Sequence, residues 1–360
     1  MRDLVVIGGG PVGLATSLYA AHLGLDVTVL EPRLGPDPAE TGLDKACGEG
    51  IMPGGVEALA GLGVDPPGMA IKGIRYLDRH HQVQTPFSGG PGRGVRRTAL
   101  HRALLQAVTA TGVEVARLAA ADLAQDDHGV SIATLRARGG HGPALQARYA
   151  IAADGLHSPT RRALGLGAAP PRRGRGSRHG LRRHSGIPPW SEHVEVHWSQ
   201  MGEAYVTPVA PDVVGIAILT DRREPFEALL GSFPELWERL DGAPAVSRVM
   251  GAGPFRQRAA RRVAGRVVLV GDAAGYVDAL TGEGIAVGLA QAREAVRALA
   301  ADHPDGYERA WRRVTWRASA LTQALVWATR PPAGRRLLVP AAARVPGVFR
   351  WSVDALARPR

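Results

Sequence analysis

The 360-residue chain predicts an α/β fold: a Rossmann-like dinucleotide-binding domain, an inserted antiparallel-sheet domain for a substrate, and a C-terminal helical segment. Three stretches carry that prediction, at residues 4–13, 149–155 and 266–272, each an apolar run that stops at a glycine turn. Strands buried on both faces of a parallel sheet read as such runs, and ligands of open α/β sheets bind outside their carboxyl ends.

In the first stretch Leu4-Val5-Val6-Ile7 enters Gly8-Gly9-Gly10-Pro11-Val12-Gly13. Gly8, Gly10 and Gly13 take the three roles of a dinucleotide fingerprint: a tight turn, a close backbone approach to a diphosphate, and close packing of helix on strand. Pro11 suits the first helical position, and with Val12 it opens a helix whose N-terminus presents free N–H groups to an anion. A second strand at 26–30 ends in Glu31, about 20 residues past the glycines, where a carboxylate meets a ribose. Pro32 and Arg33 follow, and residues 32–44 read as a loop passing over a bound adenosine.

Next comes Lys45-Ala46-Cys47-Gly48-Glu49-Gly50, whose glycines allow backbone to lie against a flat ligand. Cys47 reads first as a small buried hydrophobe, as most free cysteines are; the second reading, a flavin-side thiol, rests on its place between Lys45 and the glycine turn, where a thiolate is stabilised. A short helix at 56–62, a hairpin at 74–85 and an amphipathic helix from Arg97 to Gly112 come next, with Leu100, Ala103, Leu104 and Ala107 on one face. A β-meander leads to the second stretch, where Asp154-Gly155 precedes Ser158 and Arg161. It reads equally well as a plain Asp-Gly turn capped by Ser158 or as a ligand-facing motif. Residues 172–184, with Arg172, Arg173, Arg182 and Arg183, read as a basic loop.

Residues 194–219 alternate as antiparallel strands, and on a strand His193 and His197 lie about 13 Å apart, too far to share a metal. A helix is expected at 225–240. The third stretch ends at Gly271-Asp272, whose carboxylate suits a polyol. Gly282, Gly284 and Ile285 then open a long helix whose positive end faces developing negative charge. The remaining residues, 301–360, read as Arg-rich helices that pack on the body, roof a substrate cavity or lie on a membrane.

The formal net charge of +11 invites a polyanion partner. Lys45 and Lys72 are the only lysines, however, and no helix-turn-helix, zinc-ligand or aromatic RNA-binding signature accompanies the arginines, so no nucleic-acid partner is expected. One cysteine excludes an internal disulfide framework, and no metal site is read. No signal peptide and no spanning run are seen, so a soluble, cytoplasmic protein acting on a small molecule is expected.

Taken in order, the three motifs resemble the FAD-dependent monooxygenases of the para-hydroxybenzoate hydroxylase fold and their relatives, the geranylgeranyl reductases and flavin-dependent halogenases. The resemblance covers residues 1–300. It implies FAD as cofactor. Gly8, Gly10, Gly13 and Glu31 match the family's adenosine site and Arg97 its cofactor-contacting arginine. Asp154-Gly155 matches a motif tied there to FAD and NAD(P)H, Asp272 the ribityl-binding aspartate, and Gly282-Glu283-Gly284 the loop over the flavin. Residues 45–50 are similar to the geranylgeranyl reductase loop, whereas Tyr205-Val206-Thr207-Pro208 lacks the tryptophan of that group's substrate motif.

The domains implied are 1–70, 95–170 and 255–300 for FAD, 71–94 and 171–254 for substrate, and 301–360 as the helical segment. The activity implied is NAD(P)H-dependent hydroxylation of an aromatic or polyketide-like metabolite. A reductase of a carbon–carbon bond with Cys47 at the reaction centre is the alternative, and a basic flavoprotein that binds RNA or a membrane surface is a third reading. Oligomeric state stays open.

Overall fold

The computed structural model describes residues 1–35, 42–137, 139–168 and 177–358. Five parallel strands form its centre, in the order Val267–Leu269, Leu145–Ala152, Arg2–Ile7, Val27–Leu30 and Glu114–Ala116. Val6 lies level with Ile151 on one side and Val29 on the other. Side chains of a strand alternate between faces, and both faces of this sheet are covered. Leu4 and Val6 meet the helices Pro11–His22, Arg97–Ala110 and Gly284–Ala300 through Leu14, Leu18, Leu104, Leu289 and Val296. Val5 and Ile7 meet an antiparallel meander, Leu118–Gln125 and Val130–Arg136, through Leu118, Val130 and Ile132.

A second, seven-stranded sheet runs Met250–Ala252, His179–Ser185, Val213–Thr220, Gly202–Ala210, His193–Ser199, Gly73–Leu77 and Gln82–Pro86. Its pairings are antiparallel except that 193–199 runs parallel to 73–77. Ala204, Val206, Ile216 and Ile218 pack outward on Phe226, Leu229, Phe233 and Leu236. The opposite face looks back toward the carboxyl ends of the parallel strands.

Two expectations are corrected here. The helix expected at 225–240 is two short ones, Phe226–Leu230 and Pro234–Arg239. Gly231 ends the first, and Pro234, lacking an N–H, begins the second. The basic loop expected at 172–184 is a strand from His179 onward, and Arg172 and Arg173 lie outside the described residues. Alternation explains this strand: Gly180, Arg182 and His184 point inward, and Arg182, 1% exposed, is neutralised by Asp44 and donates to the Lys45 carbonyl at 3.1 Å. Charge-rich composition concealed a core strand whose guanidinium has partners from residues about 140 positions away.

The C-terminal helices Gly306–Thr329, Pro332–Arg344 and Pro346–Ala357 pack on this body through Val339, Phe349, Val353 and Leu356. No helix among the described residues is long and apolar enough to cross a membrane, and no metal-holding cluster of His, Cys, Asp or Glu is found there.

Candidate functional site

A cavity of about 870 Å³ lies between the two sheets, near the top of the range of about 300–1,000 Å³ typical of ligand sites. It is bordered by Gly8, Gly10, Pro11, Val12, Glu31, Pro32, Arg33, Cys47, Gly48, Arg97, Asp154, Gly155, Gly271, Asp272, Gly282, Gly284 and Ile285. The three sequence stretches, each more than 100 residues from the next, thus converge on one space. Of the residues singled out from the sequence, Ser158, Arg161 and Glu283 do not line it, and neither does Gly13. A Cβ there would sit 1.8 Å from the Gly8 carbonyl oxygen, so Gly13 acts by letting the helix touch the strand.

At one end of the cavity the 2–7 strand turns at Gly8, whose φ of +106° belongs to glycine, and Pro11 begins the helix. Glu31, 1% exposed, accepts from the Gly9 N–H at 3.1 Å and from the Arg33 N–H and Nε, each at 3.0 Å. Burial pushes this carboxyl up, but the Arg33 and Gly9 donors outweigh it and hold it below the ordinary value, so it is ionised. His101, fully buried on the 97–110 helix, has Nε2 3.0 Å from the Gly9 carbonyl and supports the turn from behind.

Desolvation lowers the His101 pKa to about 4 despite the Gly9 contact. The imidazole is therefore neutral at neutral pH and donates to Gly9. A depressed folded pKa means that the unfolded chain binds the proton first. The stability linked to His101 is complete above about pH 6.5 and is lost as pH falls toward 4, roughly 3 kcal/mol in all at 1.36 kcal/mol per unit. Urea unfolding of wild type and His101→Gln across that window is expected to show the loss in wild type and a flatter profile in the variant. Parallel profiles would refute it.

In the middle, Asp154 Oδ2 accepts from the Thr160 N–H at 3.0 Å, while Oδ1 is buried without a protein partner. Ser158 caps the short Pro159–Ala163 helix through the Arg161 N–H at 2.9 Å. Arg161 does not reach the cavity. Its guanidinium donates to the carbonyls of Ala273 and Leu156, both at 2.9 Å, and so ties the second motif to the third. Asp272 faces the cavity and pairs with Lys45 Nζ at 3.3 Å.

Cys47 lines the same cavity, close to Arg97 and Glu49. Of the two readings of Cys47, the buried thiol fits its surroundings: burial pushes the Cys47 thiol up, and the nearby Arg97 does not offset it. Cys47 is a neutral thiol at neutral pH. Its sulfur accepts from the Glu49 N–H at 3.4 Å.

Sequence reasoning missed the network behind this loop. Glu49, held at φ +59°, accepts from the Arg97 N–H at 2.7 Å and meets His184 Nε2 at 2.6 Å. His184 Nδ1 meets Ser247 Oγ at 2.8 Å, so a polar line runs from the cavity wall to the sheet's outer edge. Gly215 makes room for it, since a Cβ there would stand 2.9 Å from Glu49 Oε2. The only trace of this network in the sequence is a pair of polar residues on an inward strand face. Much of the remaining lining of the cavity is apolar, with Ile71, Tyr76, Phe87, Val194, Leu219, Phe255, Val353 and Leu356.

Comparison with known proteins agrees with this geometry. A family model described as an FAD binding domain matches residues 1–197. The chain is 30% identical over 300 residues to a digeranylgeranylglycerophospholipid reductase of Methanothrix thermoacetophila, with 79% of this chain and 73% of the relative covered. It is 27% identical over 323 residues to the menaquinone reductase of Mycobacterium tuberculosis, with 82% and 76% covered. A flavin-dependent brominase shares the fold, with a TM-score of 0.77 at 17% identity and 99% and 93% of the two chains covered. By the matched model and the extended likeness to a reductase, the chain belongs to the FAD-binding-domain family of flavin-dependent oxidoreductases, in its geranylgeranyl reductase-like branch.

Proposed function

We propose that the protein is an FAD-dependent reductase that saturates a carbon–carbon double bond in an apolar, isoprenoid-like substrate, with NAD(P)H as the reductant. The observation that carries this reading is the lining of the cavity, in which the Cys47 thiol shares one space with the glycine turns and with the apolar side chains of Ile71, Phe87, Val194, Phe255 and Leu356. The residues present fit FAD. A Cβ on Gly10 would meet nothing closer than an Arg97 nitrogen at 3.7 Å, so the space over the helix N-terminus is open for a diphosphate. Glu31 would hold the adenosine ribose, and Asp272 and the unpartnered Oδ1 of Asp154, both carboxylates of residues lining the cavity, would accept from hydroxyl or amide donors of the cofactor. Arg97, whose Nε is buried and unpartnered, offers positive charge beside Cys47.

Bound FAD supplies the two-electron chemistry. Saturating a double bond adds two electrons and two protons, and a side chain must give a proton to the second carbon. Cys47 holds that proton at its sulfur at neutral pH. The apolar walls position an aliphatic chain and exclude water, and the open N-terminus of the 284–300 helix favours negative charge at the flavin end.

Hydroxylation, the activity implied by the sequence resemblance, would use the same cavity but would consume oxygen. Anaerobic incubation of the holoenzyme with dithionite and either menaquinone or a digeranylgeranylglycerophospholipid tests the choice. A product heavier by two hydrogens is expected. A product formed only in air and heavier by one oxygen would establish the monooxygenase instead.

A further inference from the structure

We propose that the outer face of the three C-terminal helices is a docking surface for an anionic phospholipid bilayer. Residues 309–353 contain nine arginines and not one Asp or Glu. In the same segment Trp316, Trp327 and Trp351 are 57%, 78% and 62% exposed, and Leu337 and Val348 are 63% and 60% exposed. Each of the three helices therefore presents a large apolar side chain to solvent. Trp316 and Trp327 are eleven residues apart, close to three full turns, and share one face of the 306–329 helix. Val348 and Trp351, three apart, share a face of the 346–357 helix.

Exposed tryptophan with aliphatic neighbours and flanking arginines is the chemistry of a bilayer interface. The rings settle at headgroup depth and the guanidinium groups meet lipid phosphates. A second copy of the chain suits this face poorly, because a two-fold contact would set arginine against arginine. A nucleic acid would use the charge but leaves Leu337 and Val348 without a role. Since no described helix can span a membrane, the helices would lie in the plane of the surface.

The inner sides of the same segment bear on the cavity, which Val353 and Leu356 line. Docking would thus set the roof of the apolar chamber on the membrane and give a lipid substrate a route that avoids water. That entry route rests on the reductase reading given above; the docking does not.

The test is sedimentation of the FAD-loaded protein with vesicles of phosphatidylcholine, with or without phosphatidylglycerol. Binding is expected only with the anionic lipid, with loss in high salt and with quenching of tryptophan emission by brominated lipid. Arg336→Gln with Arg344→Gln and Arg350→Gln should weaken binding about a hundredfold. A Trp316→Ser, Trp327→Ser, Trp351→Ser variant should lose the quenching while keeping its FAD content and circular dichroism. Equal binding to both vesicle types, tryptophans untouched by brominated lipid, full binding by the triple tryptophan variant, or preference for an RNA homopolymer over the vesicles would each overturn the proposal. None of these outcomes depends on which reaction the enzyme performs.

Discussion

Replacing Gly13 by alanine is expected to yield a protein that neither holds flavin nor folds stably. The new methyl carbon would lie 1.8 Å from the Gly8 carbonyl oxygen, 3.0 Å from the Gly8 carbonyl carbon and 3.2 Å from the Ala153 side chain. The first two are backbone atoms at a turn where Gly8 already has φ +106° and donates to the Leu30 carbonyl at 2.8 Å. No rotamer relieves that contact, so the whole 11–22 helix must lift off the central strand. That would expose Leu14 and Leu18, both buried in the main core, so the cost should exceed the roughly 1–3 kcal/mol usual for overpacking. Gly10→Ala is the matched control. Its methyl group meets no backbone, so that variant should fold with a near-normal melting temperature and lose FAD affinity alone, by obstructing the diphosphate. Thermal unfolding and flavin absorbance of the two purified variants separate the roles. A folded, yellow Gly13→Ala protein would show that helix and strand need not touch.

The contrast between those glycines shows what was legible in the sequence. Gly8, Gly10 and Gly13 announce themselves because their spacing reflects local backbone geometry, and the strand-helix-strand order around them is equally local. The central parallel strands and the 97–110 helix were readable for the same reason: Leu100, Ala103, Leu104 and Ala107 all pack on the main core, joined there by Leu105 and Val108. What was illegible is held by distant pairs. Lys45 with Asp272, Glu49 with His184 and Thr207 with the Gly48 carbonyl join residues 227, 135 and 159 positions apart. Arg182 looked like a loop residue because nothing near it in sequence reveals Asp44. The choice between the two readings of Cys47 was illegible for the same reason: Lys45, its sequence neighbour, points to Asp272, while burial decides the thiol.

Turnover of Cys47→Ala is expected to fall by roughly 10²–10⁴, the usual worth of a positioned general acid. The chain has no other cysteine to substitute for it. Because the residue is assigned to protonation of the substrate and not to holding the cofactor, kcat should drop while FAD content and the rate of flavin bleaching by NAD(P)H stay near wild type. KM should change little, since one small side chain contributes little to an apolar wall. Cys47→Ser separates acid strength from shape: a hydroxyl fills nearly the same space and is a far weaker acid, so it should resemble alanine in rate.

The pH profile provides the independent sign. Burial raises the thiol above its ordinary value, so the proton remains in place through neutral pH. Wild-type kcat should therefore stay level there and decline only in the alkaline range as the thiol ionises, a limb that both variants lack. If Cys47 instead acted as a thiolate nucleophile, activity would rise with pH over that same range. If Cys47→Ser turned over at the wild-type rate, the residue would be a wall of the cavity and the proton would have to come from another group.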